Sequence, residues 1–178
     1  AFKDCSSLTS VVIPSSVTTI IFNAFEGCSS LTSIAIPEGV TAIGYRVFQN
    51  CTSLTSVVIP SSVTKIGDKA FRGCTSLKSI EFPQSLTVID YEAFKDCSSL
   101  TSVVIPSSVT KIIFNAFEGC SSLTSIVVEE GNSVYDSREG CNAIIETATN
   151  TLMRGGNSTI IPSSVTKIDE GAFAGCTS

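Results

Sequence analysis

The feature that most constrains this chain is a strict repeat of 23 residues. Six cysteines are separated by that interval, namely Cys5, Cys28, Cys51, Cys74, Cys97 and Cys120. Leucine keeps the same interval from Leu8 to Leu123, and phenylalanine keeps it from Phe2 to Phe117. A fixed period between about 20 and 50 residues is typical of stacked supersecondary units that each contact only their neighbours. The repeat therefore predicts a rod of similar turns.

One turn, residues 5–27, carries apolar residues at spacings that assign them to a core. Leu8, Val11 and Ile13 fit the L-x-x-L-x-L pattern of leucine-rich repeats, and alternation along a short strand would point Val11 and Ile13 inward. Pro14 has no N–H group and should end the strand. We predict a leucine-rich-repeat solenoid, a right-handed coil of 23-residue turns with one parallel strand per turn forming a sheet on one face.

The eight cysteines raise the question of whether the thiols are free or paired. Equivalent side chains of adjacent turns should be parallel and about 4.8 Å apart, whereas a disulfide needs Cβ atoms about 3.5–4.5 Å apart and a crossed dihedral. Free buried thiols are therefore favoured over disulfides. Zinc binding is less favoured still, because the chain has no histidine and no C-x₂₋₄-C pair.

Charge and residue types argue against several classes of function. The formal net charge is −5, which leaves no basic surface for nucleic acid. No apolar run approaches the roughly 18 residues of a membrane-spanning helix, so we expect no membrane insertion. Without histidine the chain lacks the commonest general base, and no other base stands at a defined spacing from a serine. We expect no enzymatic activity, no cofactor and no metal.

The repeat motif resembles that of one family, the BspA-like or treponemal-type leucine-rich repeats of bacterial surface proteins. The motif L-x-x-[VI]-x-[IF]-P-x-x-[VL]-T-x-I-x-x-x-[AV]-F-x-x-C occurs five times up to Cys120 and in part again from Ile161 to Cys176. The proline after the strand and the A-F-x-x-C corner are more specific than a general leucine pattern. The resemblance implies a secreted or surface-displayed bacterial protein whose partners are host matrix or cell-surface proteins or glycans.

The period breaks between residues 127 and 159, because Cys120 and Cys176 are 56 residues apart. We predict a non-standard extended repeat over 127–159, in which AIIET and TLMR, joined by ATN, form a β-hairpin beside the solenoid. An irregular surface loop is the alternative. We expect residues 1–178 to form one solenoid domain and, since neither end carries a polar cap, to be a fragment of a longer protein.

Two segments, residues 1–34 and 93–126, differ at a single position, which indicates a recent tandem duplication or a constructed array. Both contain an isoleucine, Ile21 and Ile113, where other turns have glycine or aspartate. An isoleucine would be strained if this position required a positive φ. We expect instead that the backbone adapts locally at these two positions.

Two surfaces are candidates for partner binding. The first is the outward column of the predicted strands, in which we take Val12, Val58, Glu81 and Val104 as candidate contacts. This column is mildly apolar and nearly uncharged, as many interfaces are, although strands favour β-branched residues for other reasons as well.

The second surface is an aromatic row at the centre of the most variable part of the repeat, formed by Phe22, Tyr45, Tyr91 and Phe114. Aromatic residues are enriched in binding hot spots, but these rings could equally serve to cover neighbouring turns. We therefore expect a non-catalytic, protein- or glycan-binding module of the adhesion type. The alternative is a structural spacer with no ligand of its own.

Overall fold

The computed structural model describes residues 2–176, so residue 1 and residues 177–178 of the expected solenoid lie outside the described part. The fold is a stack of turns, and the three turns that begin at Cys28, Cys51 and Cys97 each contribute two short strands. In chain order the strands are β1 Ser33–Ala35, β2 Ala42–Ile43, β3 Ser56–Val58, β4 Lys65–Ile66, β5 Val88–Ile89, β6 Ser102–Ile105, β7 Lys111–Ile112, β8 Ser125–Val128, β9 Tyr135–Asp136, β10 Ala143–Glu146, β11 Thr151–Gly155 and β12 Lys167–Ile168. A 3₁₀ turn covers Arg138–Gly140.

Parallel pairing confirms the predicted stack of 23-residue turns. In the first sheet, β1 pairs with β3 and β6 with β8, each with equivalent residues opposite each other, such as Ser33 and Ser56. A second ladder runs along the next wall through β2, β4, β5 and β7, and it adds to the one strand per turn that the sequence predicts. Threonines support this ladder, because the hydroxyl of Thr87 and its N–H group both donate to the Thr64 carbonyl, at 3.0 and 2.8 Å.

The core of the rod consists of columns of identical side chains. The phenylalanine rings of successive corners stack almost parallel, with centroids 5.2–5.5 Å apart, and the column contains Phe25, Phe48, Phe71, Phe94 and Phe117. The leucine column is fully buried from Leu31 to Leu123. Each turn thus adds one ring and one leucine to a continuous apolar core, which no single turn could bury alone.

A ladder of cysteine thiols accompanies the phenylalanine column. Each thiol donates to the carbonyl of the phenylalanine 26 residues earlier, as Cys74 Sγ does to the Phe48 carbonyl at 3.1 Å and Cys97 Sγ to that of Phe71 at 3.2 Å. All eight cysteines are free. Burial raises the pKa of the Cys51 and Cys120 thiols to about 12, so these groups are poor nucleophiles in the folded chain.

This arrangement predicts a clear pattern of thiol reactivity. Without reductant, we expect a thiol reagent to modify the exposed Cys5 and the half-buried Cys176 of the native protein quickly, and the six buried cysteines only after unfolding. Titration of the native and the denatured chain measures both counts. A denatured count near zero would mean that the cysteines are paired and would contradict the free-thiol ladder.

Residues with positive φ close each corner, and their side chains alternate from turn to turn. The column reads Asp4, Gly27, Asn50, Gly73, Asp96 and Gly119, with φ between 59° and 73°. A Cβ atom added at Gly73 would stand 2.5 Å from the Asn50 Oδ1 atom, and the aspartates of the same column crowd Gly27 and Gly119 in the same way. A two-turn alternation is therefore superimposed on the 23-residue repeat.

Replacement of Gly73 by alanine tests this alternation. We expect Gly73→Ala to lower the free energy of unfolding by about 2–3 kcal/mol, because the new methyl group meets both an unfavourable φ and the Asn50 amide. Gly131→Ala is the matched control, since Gly131 has φ 86° but no atom within 4 Å of its added Cβ. Adding Asn50→Gly to Gly73→Ala should recover part of the loss in urea unfolding. Equal losses for Gly73→Ala and Gly131→Ala would contradict the contact.

The isoleucines at the variable position are not strained. Gly44 and Gly67 do not adopt positive φ, and the Ile113 N–H donates to the Ile89 carbonyl at 2.9 Å just as the Gly67 N–H donates to that of Ile43 at 2.8 Å. The left-handed residues lie two positions later in each turn, at Asn23, Arg46, Lys69, Glu92 and Asn115. The backbone strain that a positive φ would cause at Ile21 and Ile113 therefore does not arise, and the backbone does not need to adapt locally there.

The expected β-hairpin is present, formed by the antiparallel strands β10 and β11. It does not stand beside the solenoid, however, because β9 pairs with β10 and β11 pairs in parallel with β12. Ile144 joins the main core, while Ile145 and Leu152 form a second apolar cluster with Ala172. Since its side chains are buried on both faces, the hairpin is incorporated into the stack.

Candidate binding surfaces

The outward side chains of the first sheet and of the equivalent residues in other turns form the strand face. Its central column contains Val12, Ala35, Val58, Glu81, Val104 and Val127. The exposed fractions of the valines are 90% for Val12, 64% for Val58, 48% for Val104 and 43% for Val127. Glu81 is also exposed and is the only charged member. The structure thus places all four strand-face candidates in one exposed column.

The strand face is interrupted between β3 and the next turn. In the intact pair, the Ile36 N–H donates to the Val58 carbonyl at 3.0 Å. The equivalent bond one turn later would run from the Ile59 N–H to the Glu81 carbonyl, and it is not formed. Residues 79–82 instead make only an isolated bridge on their other side, to Ser102.

The interruption extends over the whole strand segment. The Thr55 N–H donates to the Thr32 carbonyl at 2.9 Å, but the Lys78 N–H has no such bond to Thr55. Within residues 2–176, no backbone hydrogen bond joins residues 53–59 to residues 76–82. Main-chain groups of both segments are therefore left without their usual partners in the adjacent turn.

A cleft of about 270 Å³ lies at this interruption, lined by Ser56, Val57, Val58, Ile59, Ser79 and Glu81. Ile59 is only partly buried there, although its equivalents Ile36 and Ile105 are fully buried in turns where the sheet is closed. The cleft thus brings apolar side chains of the core column to the surface in the middle of the rod.

The inward residue Phe82 distinguishes the turn that forms one wall of the cleft. Every other turn has an aliphatic residue at this position, but the Phe82 ring packs edge-on against Phe94, with centroids 5.6 Å apart. The opposite wall stays closed, since the Thr87 N–H bonds to the Thr64 carbonyl. The larger ring lies beside the opening on this wall, while residues 10–13, which carry the aliphatic Ile13, also form no strand with β1.

The aromatic row is divided into separate groups. The Phe22 and Tyr45 rings meet edge to face with centroids 6.2 Å apart, and the Arg46 guanidinium lies 4.6 Å from the centroid of the Tyr45 ring. Lys69 Nζ lies 5.0 Å from the centroid of the Tyr91 ring in the same manner. The chain's own cations thus cover one face of each tyrosine. Of the four candidate rings, Phe22 and Phe114 are the more open, with exposed fractions of 70% and 39%.

An ion-pair network supports this edge beside Tyr91. The buried Glu92 carboxylate contacts three cations, Arg72 Nη1 at 2.8 Å, Lys95 Nζ at 3.5 Å and Lys69 Nζ at 3.9 Å. Burial alone would raise the pKa of Glu92, but the hydrogen bond from Tyr91 and the three cations outweigh burial and lower that pKa. The sequence pattern does not reveal this network, because its members come from different turns.

The lowered pKa predicts acid-dependent stability. The contribution of Glu92 should be complete above the ordinary glutamate pKa of about 4.3 and should be lost as the pH falls through the lower folded-state pKa. We expect Glu92→Gln to reduce the free energy of unfolding by about 1–3 kcal/mol at pH 7, and the difference from wild type to shrink below pH 4.

The exposed Glu38 supplies the matched control, and Glu38→Gln should change stability by less than about 0.5 kcal/mol at any of these pH values. Urea unfolding at pH 3 to 7 measures both variants. A Glu92→Gln difference that stays constant over this range would show that the charge of Glu92 contributes nothing.

Within residues 2–176, no three His, Cys, Asp or Glu side chains are grouped so that they could hold a metal ion. The described residues also contain no helix with the length and apolar character needed to cross a membrane.

A model of the BspA-type leucine-rich repeat region matches the chain with six copies, over residues 1–124, 43–146 and 153–178. Among curated protein sequences, none matches significantly.

Several solved structures are similar in fold and sequence. A leucine-rich cell surface protein from Faecalibacterium prausnitzii is 34% identical with a TM-score of 0.84, over 99% of this chain and 48% of that protein. The leucine-rich repeat protein TpLRR of T. pallidum is 32% identical with a TM-score of 0.69, over 88% of this chain and 79% of that protein. The pneumococcal vaccine antigen PcpA shares the fold, with a TM-score of 0.67. It is 24% identical, and the match covers 82% of this chain and 40% of that protein. The chain thus spans about half the length of the Faecalibacterium protein.

Proposed function

This chain belongs to the BspA-type leucine-rich repeat family, and we propose that it is a non-catalytic binding module of a bacterial cell-surface protein. Its partner is a protein, bound in an adhesion-type interaction through the strand face. A cell-surface setting is supported by the Faecalibacterium relative, which is described as a leucine-rich cell surface protein.

The observation that carries this proposal is the exposed valine column. Val58, Val104 and Val127 keep about half of their surface exposed although other valines of the same strands are buried. Strands linked to their neighbours by main-chain hydrogen bonds hold these methyl groups in fixed positions, so that little conformational entropy is lost on binding. An apolar column bordered by serine hydroxyl groups matches the composition of protein interfaces, which combine an apolar centre with a polar rim.

The same surface favours a protein partner over a glycan. Sugar rings stack on open aromatic faces, and the central column of the strand face contains no aromatic residue. The tyrosines of the aromatic row already have one face covered by Arg46 and Lys69. That row therefore serves first to cover the corners of neighbouring turns, and we rank it second as a contact surface.

The proposal is tested by placing charges on the strand face. We expect wild type to bind at least one protein on an array of purified mammalian matrix proteins and glycans, and the double variant Val58→Lys, Val104→Lys to bind it at least about 10-fold more weakly. Two desolvated lysines in an apolar contact cost more than the 1.4 kcal/mol that a tenfold change requires. The melting temperature should stay within a few degrees, because both side chains are exposed.

Two controls sharpen this test. The variant Thr18→Lys, Thr41→Lys adds the same charge to exposed positions of another wall and should bind like wild type. The variant Tyr45→Ala, Tyr91→Ala reports on the aromatic row, and a larger loss there than on the strand face would move the site to that row. If wild type binds nothing on the array, the chain is a structural spacer and the binding proposal is wrong.

A further inference from the structure

We propose that the cleft between residues 56–59 and 79–82 is a docking site for an extended segment of the partner protein. An aliphatic side chain of that segment sits against Val57 and Ile59, and an adjacent lysine or arginine pairs with Glu81. This inference rests on the protein-binding function proposed above, and it adds the position and the chemistry of the contact.

Main-chain groups at the cleft are suited to an extended peptide. The Ile59 and Lys78 N–H groups and the Thr55 and Glu81 carbonyls lack the bonds that their equivalents form between closed turns. These groups can bond to the main chain of an extended segment that lies over the mouth of the cleft. A whole strand does not fit between the two turns, because the Thr75 hydroxyl donates to the Thr52 carbonyl at 3.4 Å. In the described part of the chain, β1 and β3 leave no such unpaired groups between them, and neither do β6 and β8, because both ladders are complete.

The cleft has apolar side chains on one wall and is large enough for a side chain. At about 270 Å³ it has the volume of roughly nine water molecules. Its lining exposes part of Ile59, a residue of the inward column, together with the edges of Val57 and Val58. An aliphatic side chain that covers Val58 and Ile59 removes their exposed apolar surface from water, which favours its binding.

Charge selects the neighbouring residue of the peptide. Glu81 is the only charged residue of the central column, and no ion pair of the described residues involves it. Lys78 lies three positions earlier, yet it is not paired with Glu81. An unpaired carboxylate between Val58 and Val104 favours a lysine or arginine flanked by aliphatic residues and disfavours an acidic segment.

The closing experiment uses random peptides as probes and does not depend on knowing the natural partner. A phage-displayed library of random 12-residue peptides is selected on the immobilised wild-type chain, and enriched peptides are synthesised for affinity measurement. We expect enriched sequences in which lysine or arginine is adjacent to valine, isoleucine or leucine. Their dissociation constants should rise at least about 10-fold with Glu81→Gln, because this exposed substitution removes the charge and leaves the fold intact.

Two further variants complete the comparison. Phe82→Ile restores the aliphatic residue of the other turns and should close the cleft. The dissociation constants of the peptides should then rise by a similar factor, while circular dichroism checks that the fold is kept. Glu38→Gln removes an exposed charge outside the cleft and should leave affinity unchanged within twofold. Peptides without a basic residue, equal affinity for Glu81→Gln and wild type, or no enrichment over the starting library would each overturn the cleft proposal.

Failure of the cleft can be separated from failure of the binding function. A matrix protein on the array could bind Glu81→Gln and Phe82→Ile with the same affinity as wild type and yet fail to bind the double variant Val58→Lys, Val104→Lys. The strand face would then be the site, and the cleft would not. If wild type binds neither array proteins nor library peptides, both proposals fail together.

Discussion

The structure depends on hydrogen bonds that tie each corner to the next turn. The Phe48 N–H donates to the Ala70 carbonyl at 2.8 Å, and the Phe71 N–H donates to that of Ala93 at the same distance. These bonds set the separation of the turns, and the stacked rings, the thiol ladder and the left-handed residues all follow from that separation. Because the spacing leaves little room, a side chain in one corner requires a glycine in the next, as with Asn50 and Gly73.

Hydrogen bonds between turns hold the corners and one wall together, so the strand pairing on the other wall can vary from turn to turn. The second ladder runs without interruption from β2 to β7, while the first sheet is divided between β3 and β6. The strand face is therefore open beside the larger side chain Phe82 while the rest of the turn stays folded. Specificity in such an array comes from the positions where one turn departs from the others, and Glu81 and Phe82 are two departures next to each other in sequence and in space.

The sequence predicts the fold well because packing is periodic. Residues of the leucine and phenylalanine columns face the same environment in every turn, so their spacing reveals the stack, the strand and the corner. Features that arise between turns are harder to predict. The alternation of Asn50 with Gly73, the network around Glu92 and the cleft beside Phe82 depend on the distance between adjacent turns, which no single repeat encodes. The hairpin was predicted as a motif, but its place within the stack depends on the burial of both faces by neighbouring strands.

Residue-resolved amide hydrogen exchange distinguishes a local opening of the strand face, with closed corners and one closed wall, from a continuous first sheet. We expect strong protection for the Ile36, Thr55 and Thr87 amides, which are bonded across turns, and rapid exchange for those of Ile59 and Lys78. Equal protection of Ile36 and Ile59 would mean that the first sheet is continuous and that the strand face is not open between β3 and residues 79–82.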